Sequence, residues 1–403
     1  MLGFLSATLK NYTLNYAGLS KHCWEGIALI FINATSVGIC FFLSLYFVDS
    51  LHLSVALAGI LISCYGLGTV TGGIFAGKLS DRISPLYIST FSLFLQSTAF
   101  LFLAQLQSSE LFMANLFVLG FAAYGFKTSN NVWLLNQCNK QPNMRLKIVN
   151  ISHAASNFGL GVSGVIIGTL ANYGFENIFY MSSAFLLASA IYLSWQITSR
   201  SNSLNINNNF CIEEMENVQK NKKILFLILG CLFFVGLIVA QLNATYPIYI
   251  QEKFSYFGIK AISILFILDT VLIVLFQAPL VNLLNNCNKI FIVGLGAFFM
   301  GLGMLILVCS FNFALAIFSC VIWTAGEMLF MPMAQLVCYE KGMKKKKGQA
   351  LGLFQTIFAM SSIIGPAMGS LVYQYLGGDV VWYVSGIIGI FCFIACYYHK
   401  KYD

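Results

Sequence analysis

The chain has 403 residues, of which 59% are hydrophobic and only 9% charged, and its mean hydropathy is +0.81. Soluble domains carry about 25% charged residues, so this composition excludes a soluble enzyme and a soluble protein with one anchor; it describes an integral membrane protein with many spans. The formal net charge of +8 would suggest nucleic acid only if the basic residues gathered on a soluble surface, and their distribution argues against that.

In chain order, the segment up to His22 lacks a charged start, apolar core and small-residue cleavage site in sequence, so it reads as a tail. Twelve apolar runs follow, approximately Trp24–Phe47, Ser54–Ala76, Ser84–Gln105, Leu111–Leu135, Ile148–Ala171, Asn177–Ile197, Ile224–Tyr246, Ala261–Leu284, Ile290–Ser310, Phe313–Val337, Ala350–Tyr373 and Val380–Tyr398. A helical span needs about 20 apolar residues, whereas barrel strands are alternating segments of roughly 10. The continuous runs therefore predict an all-α membrane protein of twelve transmembrane helices. The one long hydrophilic break, Ser199–Lys223, is rich in Asn and holds Glu213, Glu214, Glu216, Lys220, Lys222 and Lys223. It reads as a linker and divides the chain into a six-helix bundle (1–198), a cytoplasmic linker (199–223) and a second six-helix bundle (224–403).

With both termini placed inside, inner tails and loops hold 19 of the 22 Lys and Arg residues, including the run Lys344–Lys347. Such asymmetry orients the spans and explains the net charge by anionic lipid rather than nucleic acid. The 12 Cys lie scattered, mostly in apolar runs, with no C-x-x-C pair. They read as small packing residues, with no zinc site or disulfide framework expected.

The two halves repeat. Gly125, Gly164 and Gly168 recur as Gly326, Gly365 and Gly369 at a constant offset of 201, and Tyr46 recurs as Tyr249 at 203. Parallel six-span repeats enclose a substrate site near the bilayer midplane, so the fold expected is two six-helix pseudo-repeats around a central cavity. Gly161, Gly164, Gly168, Gly365, Pro366 and Gly369 are read as helix-packing positions.

Between spans two and three stands Gly77-Lys78-Leu79-Ser80-Asp81-Arg82, a polar hinge between apolar runs. The pattern Gly-x-Leu-x-Asp-Arg resembles the loop signature of the major facilitator superfamily. That resemblance implies a conformational hinge built on Gly77, Asp81 and Arg82, in which the Asp meets the start of a helix in the other half, a favourable ion–dipole contact. The chain continues with Ser84-Pro85-Leu86 where the family carries Gly and basic residues. Phe31-Ile32-Asn33 leading to Gly38, and Asp269 with Gln277-Ala278-Pro279, lean toward the drug:proton antiporter branch. Against that branch, span four carries no Arg at Gly120–Gly125, and the Gly-Pro pair falls in span eleven at Gly365-Pro366. Glu25, Lys127 and Glu327 also resemble the charged residues of proton-coupled peptide symporters, without that family's Glu-x-x-Glu-Arg signature.

Three ionisable residues lie clearly within spans: Lys127, Asp269 and Glu327. A charge at a span centre costs about 2.5–3.5 kcal/mol on insertion scales, so each is a candidate for the substrate or proton site. Lys127 and Glu327 follow the repeat-related Gly125 and Gly326, which places them at similar depth and predicts a Lys–Glu pair across the cavity. A static structural ion pair is the alternative. His153, among Asn150, Ser152, Ser156 and Asn157, is read as a hydrogen-bonded residue that can titrate near neutrality. Asn33 in span one, with Gln241 and Asn243 in span seven, are polar cavity candidates.

No nucleophile–base constellation or metal-ligand spacing is present, so neither an enzyme nor a cofactor is expected. The function expected is secondary active transport of a small organic solute, proton-coupled, with efflux favoured. Proton-coupled import of a nutrient, peptide or metal chelate is the alternative, and a non-transporting receptor or assembly protein a remote one. The expected partners are a small-molecule substrate, protons and membrane lipid; the protein is expected to be a monomer of the bacterial inner membrane.

Overall fold

A computed structural model of the chain describes residues 18–43, 46–47, 51–53, 55–106, 108–137, 142–170, 173–200, 218–242, 244–257, 259–284, 287–343 and 346–399. The first half contains α1 (Lys21–Val37), continued by a 3-10 turn (Gly38–Phe42), then α2 (Val55–Ser80), α3 (Pro85–Leu103), α4 (Ser109–Asn136), α5 (Pro142–Leu170) and α6 (Phe175–Arg200). The second contains α7 (Val218–Leu242), the short α8 (Thr245–Lys253), α9 (Ile259–Leu283), α10 (Lys289–Val308), α11 (Phe313–Lys341), α12 (Lys347–Leu376) and α13 (Gly378–His399). Among the described residues there are no strands.

Local chemistry sets the helix ends. Ser20, Ser108, Asn288 and Asn312 are N-caps whose side chains accept first-turn N–H groups, which satisfies donors that a helix start leaves unpaired. Pro85 opens α3, where its missing N–H costs nothing. The predicted seventh span is instead two helices, α7 and α8. Pro247 lies in the first turn of α8, and a proline removes the helical bond four residues back and clashes there, so the apolar run breaks just before it.

Eleven of the helices are long and apolar enough to cross a membrane. The remaining predicted span, the fifth, is α5, with 29 residues, long enough to cross at 1.5 Å per residue. It falls short on hydropathy because Asn150, Ser152, His153, Ser156 and Asn157 make one stretch of it polar. That stretch faces the other half of the protein.

Each half has its own core. Tyr46, Phe47, Phe100, Phe112 and Phe179 interlock in the first, and Tyr246, Tyr249, Trp323 and Trp382 in the second. The repeat is visible in the packing. Tyr46 meets Phe179 of the sixth span edge-on at 5.0 Å, and Tyr249 meets Trp382 of the twelfth at 5.5 Å. A side chain at Gly125 would strike Ser92 of α3, and one at Gly326 would strike Gly296 and Met300 of α10. Repeat-related glycines thus let the fourth span approach the third and the tenth approach the ninth, small residues being what permits close helix contact in lipid. Large apolar side chains such as Phe91, Trp195, Phe226, Ile267 and Phe391 are exposed on the outside, as a hydrocarbon solvent allows.

The halves meet on one side of the molecule, where α2 ends and α12 begins. The α2 and α12 backbones come so close that a Cβ at Gly77 would lie 2.7 Å from the Gly348 carbonyl oxygen and 2.8 Å from the Gly352 Cα. Further up, Thr356 donates to the Val70 carbonyl at 3.4 Å. Val132, Leu135, Val149, Tyr339 and Leu351 form a small apolar plug drawn from both halves. The protein is closed on this side.

Candidate functional site

Above the plug, α5 of the first half faces α9 and α11 of the second. His153 is the bridge. Its Nδ1 lies 3.0 Å from Gln277 Oε1 on α9, and its Nε2 lies 3.7 Å from Glu327 Oε1 on α11. Asn157, one turn along α5, packs on the imidazole with its amide 3.3 Å from Nδ1 and donates to the His153 carbonyl. With the proton on Nδ1, Gln277 Oε1 accepts the hydrogen bond. Nε2 is then the nitrogen that exchanges a proton in the direction of Glu327. The pair is shielded, Glu327 being only 8% exposed, so its protons cannot leave freely while the halves stay closed.

Asp269 of α9 extends the acidic part of the site. It accepts from the Thr324 hydroxyl of α11 at 2.8 Å, and its charge is close enough to interact with that of Glu327. Thr324 and Glu327 are three apart on α11, hence on one face. Two carboxyl groups, one imidazole and one amide from both halves therefore share a single electrostatic environment. Such a group of titratable residues can hold a variable number of protons with apparent affinities that belong to the set.

Lys127 reaches the same interface from α4. Its ammonium lies 5.3 Å from the ring centroid of Tyr124 on its own helix and 5.8 Å from that of Phe358 on α12. Its charge acts on His153, but among the described residues no ion pair joins it to a carboxylate. The predicted Lys127–Glu327 pair is thus replaced by a His153–Glu327 pair. A cation inside a span costs about 2.5–3.5 kcal/mol, and a desolvated ring face returns about 2, so aromatic contact offsets most of that cost but leaves the charge without a counter-ion.

Asp81 meets the start of a helix in the other half. Asp81 Oδ1 accepts from the Gly348 N–H at 2.7 Å and Oδ2 from the Gln349 N–H at 2.9 Å, the first turn of α12. Burial pushes the Asp81 carboxyl up from its ordinary value, while those two N–H groups and the Lys346 charge pull it back. The contact is therefore only partly compensated. Arg82 is exposed beside it. Sequence reasoning missed the second contact on this side. Tyr339 at the end of α11 donates to Asn136 Oδ1 at the end of α4 at 2.8 Å, and Arg145 and Lys347 sit over its ring. Asn136 and Tyr339 stand near the ends of α4 and α11, the repeat-related helices that carry Gly125 and Gly326, so the ends of two related helices touch here.

Other predicted residues are committed elsewhere. The Gln241 amide donates to the Gly365 carbonyl at 2.7 Å and its oxygen accepts from Thr245. It binds α7 to α12 and faces a side cleft of about 90 Å³ with Val372, Val384 and Ile388, not the inter-half site. Gly365 and Gly369 are the positions that receive it, since a Cβ at either would strike α7. Pro366 lies within α12 beside them. Asn33 donates to Gln96 Oε1 at 2.7 Å, and Gln96 to the Ala122 carbonyl, which ties the first, third and fourth spans together inside one bundle. Gly161 packs across the halves, with Thr270 3.1 Å from where its Cβ would lie, whereas among the described residues nothing lies within 4 Å of that position at Gly164. Gly164 is therefore not a packing contact in this conformation. Asn243 lies outside the described residues, as do the surroundings of Gly168. Among the described residues no cluster of three or more His, Cys, Asp or Glu is arranged to hold a metal ion.

Two pseudo-repeated helical bundles with buried titratable groups between them are the architecture of a membrane transporter. Residues 26–357 match the sequence profile of the Major Facilitator Superfamily, and the chain belongs to that superfamily. It is 21% identical over 367 residues to the Bacillus subtilis (strain 168) protein named uncharacterized MFS-type transporter YqjV, a match covering 88% of this chain and 86% of that one. A shorter stretch of 119 residues is 26% identical to multidrug resistance protein 3 of the same organism, covering 29% of this chain and 23% of that one. The fold is similar to that of the human organic anion transporter MFSD10 (TETRAN), with a TM-score of 0.69 at 11% identity over 94% of this chain and 100% of that one. It is also similar to the proton:xylose symporter XylE bound to 6-bromo-6-deoxy-D-glucose, with a TM-score of 0.70 at 14% identity over 94% and 95%.

Proposed function

We propose that this transporter moves a small organic solute outward in exchange for protons, with His153, Glu327 and Asp269 as the proton-handling group. The observation that carries this reading is the His153–Glu327 contact. It joins the two halves, it is buried, and its charge state decides whether the halves attract. A proton shared by Nε2 and the Glu327 carboxyl gives an ion pair or a neutral pair, and separation of the halves exposes both groups to water. Protonation and alternating access are coupled by that geometry. The stretch similar to multidrug resistance protein 3 supports the outward direction.

The test uses purified protein in proteoliposomes with an imposed pH gradient and a panel of lipophilic dyes and metabolites. Solute movement opposite to the proton gradient is expected. Movement in the same direction as protons would identify an importer, and flux indifferent to the gradient would remove proton coupling altogether.

The same reading places both termini and the Lys344–Lys347 loop in the cytoplasm of a bacterial cell, the basic-residue asymmetry being the support. Single cysteines at Ser201 and Gly378 in a Cys-free background should label from opposite sides of the membrane. Labelling of both from one side would overturn this topology.

A further inference from the structure

We propose that Lys127 is the substrate-binding cation and that the solute is an organic anion, a carboxylate carried on an aromatic body. This deepens the transport reading and rests on it only in taking the inter-half space as the substrate site. The acids of that space already have partners: Glu327 has His153, and Asp269 has Thr324. Lys127 has only ring faces, Tyr124 from its own half and Phe358 from the other. Among the described residues no carboxylate pairs with its three ammonium donors.

The rings narrow the ligand class. A carboxylate reaching Nζ between Tyr124 and Phe358 brings its own hydrocarbon body against those two faces, and an aromatic body makes offset or edge contacts there. A cationic drug would meet like charge at Lys127. A neutral sugar would leave the ammonium without a counter-ion and lay hydroxyls on apolar rings. Because Phe358 belongs to α12 and Lys127 to α4, an anion seated between them touches both halves. Binding then bears directly on the movement of one half against the other.

The experiment measures binding without any gradient, so it stands or falls apart from proton coupling. Naphthoate, naphthamide and naphthylmethylammonium share one ring system and differ in charge. Each is titrated against the full-length protein in lipid nanodiscs, with ligand-induced thermal stabilisation and displacement of radiolabelled naphthoate as readouts. Wild type should prefer naphthoate over both others. Lys127→Gln should weaken naphthoate roughly ten- to a hundredfold, the scale of losing one charge-assisted contact, and should bring the acid and the amide to similar affinity. Lys127→Arg should keep the preference for the acid. The melting temperature of each variant without ligand separates lost binding from lost fold, and Lys127→Gln should melt no lower than wild type because it removes a buried charge lacking a counter-ion. Equal binding of acid and amide by wild type, tighter binding of the ammonium compound, or undiminished naphthoate affinity in a folded Lys127→Gln would each overturn the proposal. If naphthoate binds selectively through Lys127 but proton-driven flux is absent, the coupling reading fails and the anion site stands.

Discussion

Glu327→Gln is expected to abolish transport against a gradient while leaving exchange of substrate across the membrane intact. The amide has nearly the shape of the acid and can still donate to His153 Nε2, which lies 3.7 Å from the present carboxylate oxygen. It therefore mimics the protonated carboxyl and cannot lose that proton. With Nδ1 held by Gln277, the His153 pair is fixed in its neutral, proton-loaded form, and Asp269 no longer has a neighbouring carboxylate whose charge it must share. Net flux driven by a pH gradient should fall by roughly a hundredfold or more, the scale seen when a proton-transfer group is removed. Counterflow, which needs no net proton movement, should stay within about threefold of wild type on the same scale of argument. The pH dependence of transport should flatten in the variant. Wild-type accumulation or expulsion by Glu327→Gln would show that the carboxyl is not the carrier, and Asp269 would take its place as the acid to test.

The spans were legible because lipid imposes one rule everywhere: a helix facing hydrocarbon must be apolar over its length. The rule weakens where a helix faces protein, and α5 is the case in point. His153 and Asn157 make its hydropathy poor, and His153, with Asn157 packed on its ring, is the residue that meets the other half. The depth of the charged residues was legible from the glycine repeat, but their partners were not. Lys127 follows Gly125 by two residues and Glu327 follows Gly326 by one. One residue turns a helix by about 100°, so side chains at nearly equal depth point in different directions. That rotation is why Glu327 meets α5 while Lys127 meets α12. Gln241 was misread for a related reason: whether an amide faces a cavity or a neighbouring helix depends on what stands opposite, and opposite it stand Gly365 and Gly369. Asn136 and Tyr339 carried no such signal: the offset of 201 that relates α4 to α11 pairs Asn136 with Val337, and only the packing of the two helix ends brings Tyr339 to it.

Asp81→Asn should slow transport by weakening the closed conformation, with substrate binding left nearly unchanged. Asp81 hydrogen-bonds to the first turn of α12 and to no residue of the His153 and Lys127 cluster among the described residues. Its two oxygens accept two N–H groups that the start of a helix leaves without intrahelical partners. Asparagine keeps one acceptor and sets its NH2 against the second N–H, donor against donor. It also removes the negative charge that complements the helix N-terminus. The amide escapes the desolvation that pushes the acid up, so the loss belongs at the low end of the range for a bond to a charged group, about 1–2 kcal/mol. A shift of that size moves the balance of closed and open forms roughly five- to thirtyfold. Spin labels at Ile83 and Met343, both exposed beside the latch, report the distance between the halves on this side. In Asp81→Asn the long-distance population should grow, turnover should fall, and the affinity for substrate should stay as in wild type. Gly348 and Gln349 supply backbone N–H groups that no side-chain change can restore, so a compensating substitution in α12 is not expected. If Asp81→Asn turns over like wild type with an unchanged distance distribution, Asp81 is a bystander and Asn136–Tyr339 is the contact that holds the halves together.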